Sequence, residues 1–404
     1  MEDISLTMPT ILLPKEVTST WSVVACDQYT SEPAYWDEVA KLVGDDPSTL
    51  HIIFPEVFLD DEGKEERIKD INMHMRQYLA DDLFEKHEGF VLVKRETSTG
   101  VRTSIIVALD LEAYSYEKGS TTLIRATEGT ILDRLPPRIA VRKDAPLELP
   151  HIMVLIDDEQ ESVIERATKG KKLYDLDLMQ GGGHITGHLV ANPDDVIAAL
   201  SALKASCNGL LYAMGDGNHS FATAKAIWEQ KKKEGASLDD PARYALVGLV
   251  NVHDPSLVFE PIHRVIFEAD DLLDGLHANG ATIVDMNLAT AKAYTVEGKH
   301  VIAFACGSRT GAVVMDRTAN LAVGTLQNFL DSYLKQKGKI DYVHGEDVVK
   351  DLASGENTVG FLLPSMDKHD LFPTVIKDGA LPRKTFSMGE AQDKRFYMEC
   401  RKIM

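Results

Sequence analysis

The chain has 404 residues, of which 44% are hydrophobic and 26% are charged, the balance of a folded globular protein rather than a disordered one. Its 43 Lys and Arg against 63 Asp and Glu give a formal net charge of −20, which argues against a surface that grips nucleic acid or a membrane. No stretch approaches the ~20 apolar residues of a membrane span. The four cysteines are scattered singly, so we expect a cytoplasmic protein with reduced thiols.

The first half of the chain alternates helical and extended patterns. An apolar run ends at Asp27, and residues 62–87 have the pattern of a charged amphipathic helix. Apolar stretches on both sides of residues 98–100 predict a β-hairpin. Further along, the pattern predicts a strand at 152–156 and a helix at 159–167.

The second half contains strands that are apolar along their whole length. The predicted helices are 193–206, 220–233 and 320–336, and the predicted strands are 209–214, 244–252, 301–305, 312–315 and 359–363. Strands that are buried on both faces and alternate with helices indicate an α/β architecture. Asn192 is the expected N-cap of the first of these helices, with Pro193 in its first position.

The strongest local signal is the loop Gly215–Ser220, which joins a strand pattern to a helix pattern. Glycines let the backbone approach a ligand, and the first N–H groups of a helix have no partner within the helix, so this corner favours a bound phosphate. Asn218, His219 and Ser220 would add side-chain donors. Asp216 would hold Mg²⁺ or orient His219. A plain turn capped by Asp216 or Ser220 is the alternative.

A carboxylate follows the apolar run Trp21–Cys26 at a predicted strand end. Partial burial there would raise the pKa of Asp27 towards working pH, which makes this residue a candidate general base. Glu32 is a second acidic candidate in the same segment. The alternative places Asp27 in a turn and Glu32 in the first turn of a helix.

Two other kinds of segment are candidate binding elements. Three glycines before His184 predict a flexible loop over a pocket, whereas a helical zinc site formed by His184 and His188 fits these glycines badly. Basic segments that could contact phosphate or substrate contain Arg125 with Thr127 and Glu128, then Arg264, and then Arg383 with Lys384. Each basic segment could equally form structural ion pairs or a solvated turn.

Five blocks of the chain together resemble a known family. They are Val24–Gln28, Leu123–Thr130, Leu149–Met153, Gly215–Ser220 and Leu381–Glu390. They resemble the bacterial domain-of-unknown-function family 1015, and Asp216–Ser220 is similar to the Asp-Gly-His-His-Arg type motif of ParB/sulfiredoxin-like proteins. The resemblance covers nearly the whole chain. It implies an α/β fold with an α+β mixed sheet, that is, a ParB/sulfiredoxin-like core with additional β-rich insertions.

The resemblance also implies a phosphotransferase, because the family looks similar to pyrophosphate-dependent free-serine kinases. Such an enzyme would convert free L-serine to O-phosphoserine, with pyrophosphate or a nucleotide as donor and Mg²⁺ as cofactor. The loop Asp216–Ser220 would bind the phosphates, with Asp216 as the metal ligand, and Asp27 would take the hydroxyl proton. The implied catalytic set is Asp27, Glu32 and His219; the substrate-binding set is Arg125, Thr127, Glu128 and His184.

The loop departs from the motif at two positions. Asn218 stands where many relatives have His, and Ser220 stands where many have Arg, so one phosphate-facing cation is missing. The candidates to replace this cation are Arg125, Arg264, Arg383 and Lys384.

Two other functions stay open. One is a nucleotide- or nucleic-acid-binding ParB-like regulator, which the acidic composition disfavours, and the other is a metal-dependent hydrolase that uses Asp157, Asp158, His184 and His188. We expect small-molecule partners, L-serine and pyrophosphate, with neither nucleic acid nor membrane; a homodimer stays open.

The chain has no clear linker, so we expect one unit over 1–404, with a working division into an N-terminal part with the hairpin (1–120), a central part with the phosphate loop (121–280) and a C-terminal part (281–404).

Overall fold

The computed structural model describes residues 3–117 and 119–404, which form two compact units. The first comprises Met1–Leu257 and Gly389–Met404, and the second comprises Val258–Met388. The sequence divisions at 120 and 280 do not coincide with the limits of these units. The C-terminal segment returns to the first unit, where Arg401–Lys402 pairs with Leu147–Glu148, and local composition carries no signal for such a distant pairing.

The elements follow one another in a mixed order of helices and strands. The helices are α1 Pro33–Val43, α2 Lys64–Ala80, α3 Leu135–Arg142, α4 Pro193–Lys204, α5 Asn218–Lys233, α6 Leu272–Ala278, α7 Leu288–Ala293, α8 Ala322–Tyr333, α9 Glu346–Ala353 and α10 Leu371–Asp378. The strands are β1 Leu6–Thr7, β2 Thr10–Pro14, β3 Phe84–Glu88, β4 Val91–Thr97, β5 Gly100–Asp110, β6 Tyr114–Ser115, β7 Ile124–Arg125, β8 Leu147–Glu148, β9 Met153–Ile156, β10 Lys169–Asp177, β11 His184–Val190, β12 Tyr212–Asp216, β13 Tyr244–Asn251, β14 Phe259–Pro261, β15 His263–Phe267, β16 Thr282–Asp285, β17 Lys299–Cys306, β18 Arg309–Asp316, β19 Lys339–Val343, β20 Val359–Leu362, β21 Phe386–Met388 and β22 Arg401–Lys402. No helix in the described ranges combines the length and the apolarity that crossing a membrane requires.

The first unit is built on a ten-stranded mixed sheet. Its order is β10-β11-β4-β5-β13-β9-β12-β7-β6, with β1 added to β5. The pairs β13–β9 and β12–β7 are parallel, whereas β13–β5 and β12–β9 are antiparallel. The predicted α/β class with a mixed sheet is therefore confirmed, and the ParB/sulfiredoxin-like label for the core stays a prediction.

The second unit contains an antiparallel six-stranded sheet in the order β16-β18-β17-β20-β15-β19, and a separate pair of strands, β14 and β21. The long hairpin β17–β18 runs in register from Lys299 opposite Asp316 to Cys306 opposite Arg309. The predicted strands at 301–305, 312–315 and 359–363 lie in β17, β18 and β20, and the helix predicted at 320–336 is α8.

Several local predictions are confirmed and two are wrong. The hairpin is β4–β5, and α4 begins at Pro193 after the N-cap Asn192. The segment 159–167 is not helical, because the Asp158 carboxylate accepts hydrogen bonds from the N–H groups of Ser162 (2.7 Å) and Val163 (2.8 Å) and closes a turn. The helix predicted to reach residue 87 ends at Ala80, after which β3 pairs with β2.

The large sheet is covered on both faces, and α5 lies on one of them. Phe221, Ala224 and Trp228 of α5 are fully buried in one core cluster, where they join Val247 of β13. The neighbouring Leu246 belongs to the cluster on the opposite face, as the alternation of side chains along a strand requires. This packing fixes the position of the first turn of α5 relative to β12.

A buried carboxylate joins the C-terminal strand to the first unit. Glu148 Oε1 lies 2.7 Å from Arg401 Nε, Glu148 Oε2 lies 2.5 Å from Arg142 Nη2, and the Leu246 N–H group also donates to Glu148. Burial alone would raise the pKa of Glu148, but the charges of Arg401 and Arg142 outweigh burial and lower it. Glu148 is therefore ionised, and its charge is compensated.

We expect Glu148→Gln to lower the free energy of unfolding by about 3–5 kcal/mol, because it leaves the charge of Arg401 buried without its partner. Chemical denaturation at neutral pH measures this loss. The difference shrinks as the pH falls through the lowered pKa of Glu148, since both proteins are then neutral at this position.

The matched control is Asp82→Asn, which removes the exposed partner of Lys15 and leaves the free energy of unfolding nearly unchanged. Equal stability losses in the two variants would contradict the structural role of Glu148.

Candidate active site

The corner between β12 and α5 keeps unpaired backbone donors. Gly217 has φ +76°, and a Cβ atom there would lie 3.1 Å from the Cα atom of Ile152, so glycine is required at this position. The first bond of α5 runs from the Phe221 N–H group to the Gly217 carbonyl. Within the ranges that the structure describes, the N–H groups of residues 218–220 donate to no protein acceptor. The corner can therefore donate to an anion.

A cavity of about 140 Å³ lies beside this corner. Ser220 is the part of the corner that lines it, and most of the remaining wall is apolar. The other polar or ionisable side chains of the wall come from distant parts of the chain and are Cys26, Glu56, Arg138, Arg142, Glu148, His151, Thr223 and Tyr397. A small polar ligand in this cavity would lie next to the corner.

A buried histidine connects the cavity to Asp27. His151 Nε2 lies 3.5 Å from Asp27 Oδ2 and 3.2 Å from Ser220 Oγ, and His151 Nδ1 lies 2.8 Å from the Tyr397 hydroxyl. Burial alone would lower the pKa of His151, but the charge and hydrogen bond of Asp27 raise it. Asp27 and His151 thus form an ion pair at the edge of the corner.

The pKa of Asp27 is shifted in the direction opposite to the one predicted from the sequence. Burial alone would raise it, as expected, but the charge of His151 and the hydrogen bonds from His151 and Gln28 outweigh burial and lower it. Asp27 lies in a turn after a single bridge between Val24 and Phe396, not at a strand end. The carboxylate is therefore ionised and only weakly basic.

His219 is a neutral member of the site. Burial, followed by the charges of Arg138 and Arg134, lowers its pKa to about 4. The Ile131 N–H group points to His219 Nε2 at 3.4 Å, which makes Nε2 the acceptor and leaves Nδ1 as the protonated nitrogen. His219 can offer one N–H group to a ligand, but it offers no positive charge.

Asp216 organises the loop. Its Oδ1 accepts the Gly217 N–H group at 2.9 Å, and its Oδ2 lies 3.1 Å from Lys394 Nζ. Among the described residues, Asp216 belongs to no cluster of three metal-ligand groups. Mg²⁺ is commonly held by one or two carboxylates together with substrate phosphates, so this single paired carboxylate fits an ion that arrives with a phosphate better than a resident metal.

Two of the predicted substrate-binding residues, Arg125 and Thr127, stabilise the backbone around β12 through hydrogen bonds to carbonyl groups. The Arg125 guanidinium is buried and donates to the carbonyls of Thr122 and Gly209, and the Thr127 hydroxyl donates to the Met214 carbonyl at 2.6 Å. These donors are therefore engaged by the fold, which gives both side chains a structural role. Glu128, which follows them, is half-buried.

Glu32 and His184 do not join the corner. Glu32 is exposed at the N-terminal end of α1 and caps no N–H group. His184 begins β11, where its two ring nitrogens lie 2.7 Å from Asp177 and 2.9 Å from Asp175. These contacts occupy both nitrogens within an exposed hairpin, so the predicted catalytic and substrate-binding roles are not supported.

The glycine-rich segment, which the sequence predicts to be a loop over a pocket, belongs to a β-hairpin. It forms the turn between β10 and β11, where a Cβ atom at Gly182 would meet the Phe396 ring at 2.7 Å and one at Gly187 would meet the Tyr174 ring at 2.1 Å. These glycines allow close packing. His188 lies four residues after His184 on the same strand, a separation of about 13 Å, which is too long for a shared metal.

The basic residues Arg264, Arg383 and Lys384 belong to the second unit. The Arg264 side chain is buried and donates to the carbonyls of Ile262, Arg383 and Lys384, so it fixes a chain turn and does not face solvent. Arg383 is exposed, and its guanidinium lies 5.0 Å from the Tyr342 ring centroid. Lys384 is exposed beside it.

Sequence reasoning missed five residues of the site: Glu56, Arg138, His151, Lys394 and Tyr397. The sequence carries a signal for two of them, because His151 lies in a block that carries the family resemblance and Arg138 lies in a basic segment with two prolines. Lys394 and Tyr397 had none, because they reach the site only through the return of the C-terminal segment.

The fold and the site together define the class of protein: a mixed α/β unit in which a strand-to-helix corner can donate hydrogen bonds to an anion. The chain belongs to the family described as protein of unknown function (DUF1015), whose model matches residues 9–333. This confirms the resemblance that the sequence blocks carry. No curated protein matches the sequence.

Three solved structures are similar to the chain at 12–13% identity. A mutant free serine kinase in complex with AMP covers 74% of this chain and 92% of its own, with a TM-score of 0.43 and 12% identity. A free serine kinase in complex with AMP gives the same coverages, with a TM-score of 0.42 and 13% identity. A conserved hypothetical protein from Pyrococcus furiosus covers 70% and 90%, with a TM-score of 0.38 and 12% identity. Likeness at this level carries no argument about activity.

The ion pair of the site predicts a pH-dependent coupling. In a double-mutant cycle of Asp27→Asn and His151→Gln, we expect a coupling free energy of about 1–3 kcal/mol near pH 6. His151 has a raised pKa in the fold, so the coupling is full below the ordinary pKa of histidine and is lost as the pH rises through the folded value. Chemical denaturation of the four proteins at several pH values measures it.

The matched control is the exposed pair of His184 and Asp177, whose coupling is much smaller because water screens it. Equal coupling in the two cycles, or a buried-pair coupling that stays constant up to about pH 10, would contradict the proposed charge state.

Proposed function

We propose that the chain is a small-molecule phosphotransferase that transfers a phosphoryl group to the hydroxyl of free L-serine, with pyrophosphate or a nucleotide as donor. The observation that carries the proposal is the set of N–H groups at residues 218–220 that find no acceptor in the described part of the chain, next to the ionised Asp27 and a small cavity. Phosphoryl transfer depends mainly on positioning and on neutralising charge, and these groups supply both. Free thiols at all four cysteines suit the proposed cytoplasmic location.

In this proposal the corner binds the donor. The N–H groups of residues 218–220 and the Ser220 hydroxyl donate to the phosphoryl oxygens, and His219 donates through Nδ1–H. The missing cation of the loop is supplied by Arg138, whose charge already acts on His219. Arg138 thus takes the place that the sequence left open among Arg125, Arg264, Arg383 and Lys384.

Asp27 binds the acceptor hydroxyl. Its low pKa makes it a weak base, so it orients the hydroxyl as a hydrogen-bond acceptor and receives the proton only as the bond to phosphorus forms. A loose transition state suits this order, because the nucleophile needs little activation before attack. The positive charge of His151, 3.5 Å away, keeps Asp27 ionised until then.

Magnesium fits the proposal as an ion that enters with the donor. When bound, Mg²⁺ would neutralise part of the charge of the donor phosphates. The residues of this chain contribute one carboxylate, Asp216, whose contacts with Lys394 and the Gly217 N–H group set the shape of the loop.

We expect Asp27→Asn to lower kcat at least about 100-fold, because the asparagine amide cannot accept the hydroxyl proton. The measurement is formation of O-phosphoserine from L-serine, pyrophosphate and Mg²⁺, with ADP and ATP as alternative donors. Asp37→Asn, on the exposed face of α1, is the matched control and stays fully active. Near-normal turnover of Asp27→Asn would remove Asp27 from the mechanism, and no product with any donor would remove the proposed function.

The corner histidine predicts a separate effect on donor use. We expect His219→Ala to raise KM for the donor about 10-fold, because one hydrogen bond to a charged oxygen is lost, while His219→Gln retains a donor and loses less. Steady-state kinetics with varied pyrophosphate measures this, with His188→Ala on β11 as the control. An unchanged KM in His219→Ala would show that the imidazole does not contact the donor.

A further inference from the structure

The first unit contains a second cavity, which the proposed mechanism does not use. It is a groove of about 660 Å³ whose walls come from α1, α2 and the chain between them. Among the described residues that line it, Ile53 alone also lines the smaller cavity beside the corner. Pockets for ligands of moderate size are about 300–1,000 Å³, so this groove has room for a short peptide.

Part of the wall is apolar and aromatic. Ile53, Pro55 and Ile71 are buried there, and the Phe58 ring is half-buried. The guanidinium of Arg67 lies 4.1 Å from the centroid of the Phe58 ring, so a cation already stacks on this ring. Such a wall packs well against the methylene groups of a long basic side chain.

Another part of the wall carries negative charge without a counterion. Asp61, Glu66 and Asp70 are exposed, and within the part of the chain that the structure describes their carboxylates form neither ion pairs nor side-chain hydrogen bonds. Arg67 is the one Lys or Arg in the described lining, and it stacks on Phe58 without pairing with these acids. The groove therefore favours a positively charged ligand.

Trp36 gives the groove a hydrogen-bond donor that the fold does not use. The side chain lines the groove and is 2% exposed, and its Nε1–H group has no acceptor among the residues described. A buried donor without an acceptor is unfavourable, and a ligand that brings a carbonyl oxygen would remove this cost. A polyamine brings charge and methylene groups but no acceptor, whereas a peptide with a basic side chain brings all three.

We propose that this groove binds a short basic peptide segment of a partner protein, a role that goes beyond the proposed function. An Arg or Lys side chain of the segment packs its methylene groups on Phe58 and Ile71 and directs its charge to Glu66 and Asp70. A backbone carbonyl of the segment accepts the hydrogen bond from Trp36.

The test is calorimetric titration of the full chain with three probes: the peptide acetyl-Gly-Arg-Arg-Gly-amide, the same peptide with glutamine in place of both arginines, and putrescine, which has two positive charges but no carbonyl group. We expect the arginine peptide to bind at least about 10-fold more tightly than either other probe. Its advantage over the glutamine peptide shrinks in about 0.5 M salt, because salt screens the carboxylates.

The proposal is overturned if the arginine peptide binds no more tightly than the glutamine peptide, including the case in which neither binds. Putrescine that binds as tightly as the arginine peptide would identify a polyamine site instead and would equally overturn it.

Two variants locate the binding. We expect the double variant Glu66→Gln, Asp70→Asn to bind the arginine peptide at least about 5-fold more weakly. Trp36→Phe, which keeps an aromatic ring and loses the N–H group, weakens binding of this peptide but not of putrescine. Glu38→Gln, on the exposed face of α1 and outside the groove, is the matched control and keeps the affinity.

Unchanged affinity in the double variant would place the peptide elsewhere and overturn the proposal, even if Trp36→Phe fails to fold. Assays for O-phosphoserine are made separately. Absence of product would leave the groove standing, and absence of peptide binding would leave the phosphotransferase standing.

Discussion

The left-handed backbone of Gly217 is the constraint on which the site depends. It turns the chain directly from β12 into α5, whose first N–H groups have no protein acceptor in the described residues. The turn is held from both sides: Ile152 packs against Gly217, and Phe221 anchors the first turn of α5 in the core. The corner therefore keeps its donors oriented without a ligand, which lowers the cost of binding one.

Charge compensation determines the protonation states around this corner. The pair of Asp27 and His151 keeps a weakly basic carboxylate ionised, and Arg138 helps to keep His219 neutral. A protein with a net charge of −20 thus holds a small region in which positive and negative side chains balance. Screening by salt over about 8–10 Å limits the effect of the remaining negative surface on an incoming polyanion.

The sequence predicted the parts of the structure that depend on local physics. The α/β class and the hairpin β4–β5 follow from periodicity, the N-cap position of Asn192 follows from capping preference, and the strand-to-helix turn at Gly217 follows from the conformational freedom of glycine. The helix expected at 159–167 failed because one side chain, Asp158, satisfies the backbone N–H groups that a helix would use. His151, Lys394 and Tyr397 were missed because long-range pairing brings them together, and local patterns do not record such pairing.

The most direct test of the account is an NMR titration of the full chain with pyrophosphate that follows the backbone N–H signals. We predict that the largest downfield proton shifts occur at residues 218–220 and that they saturate together, because these N–H groups donate to the bound anion. Saturable binding with its largest shifts elsewhere in the chain, or no saturable shift at these three residues, would contradict the central claim.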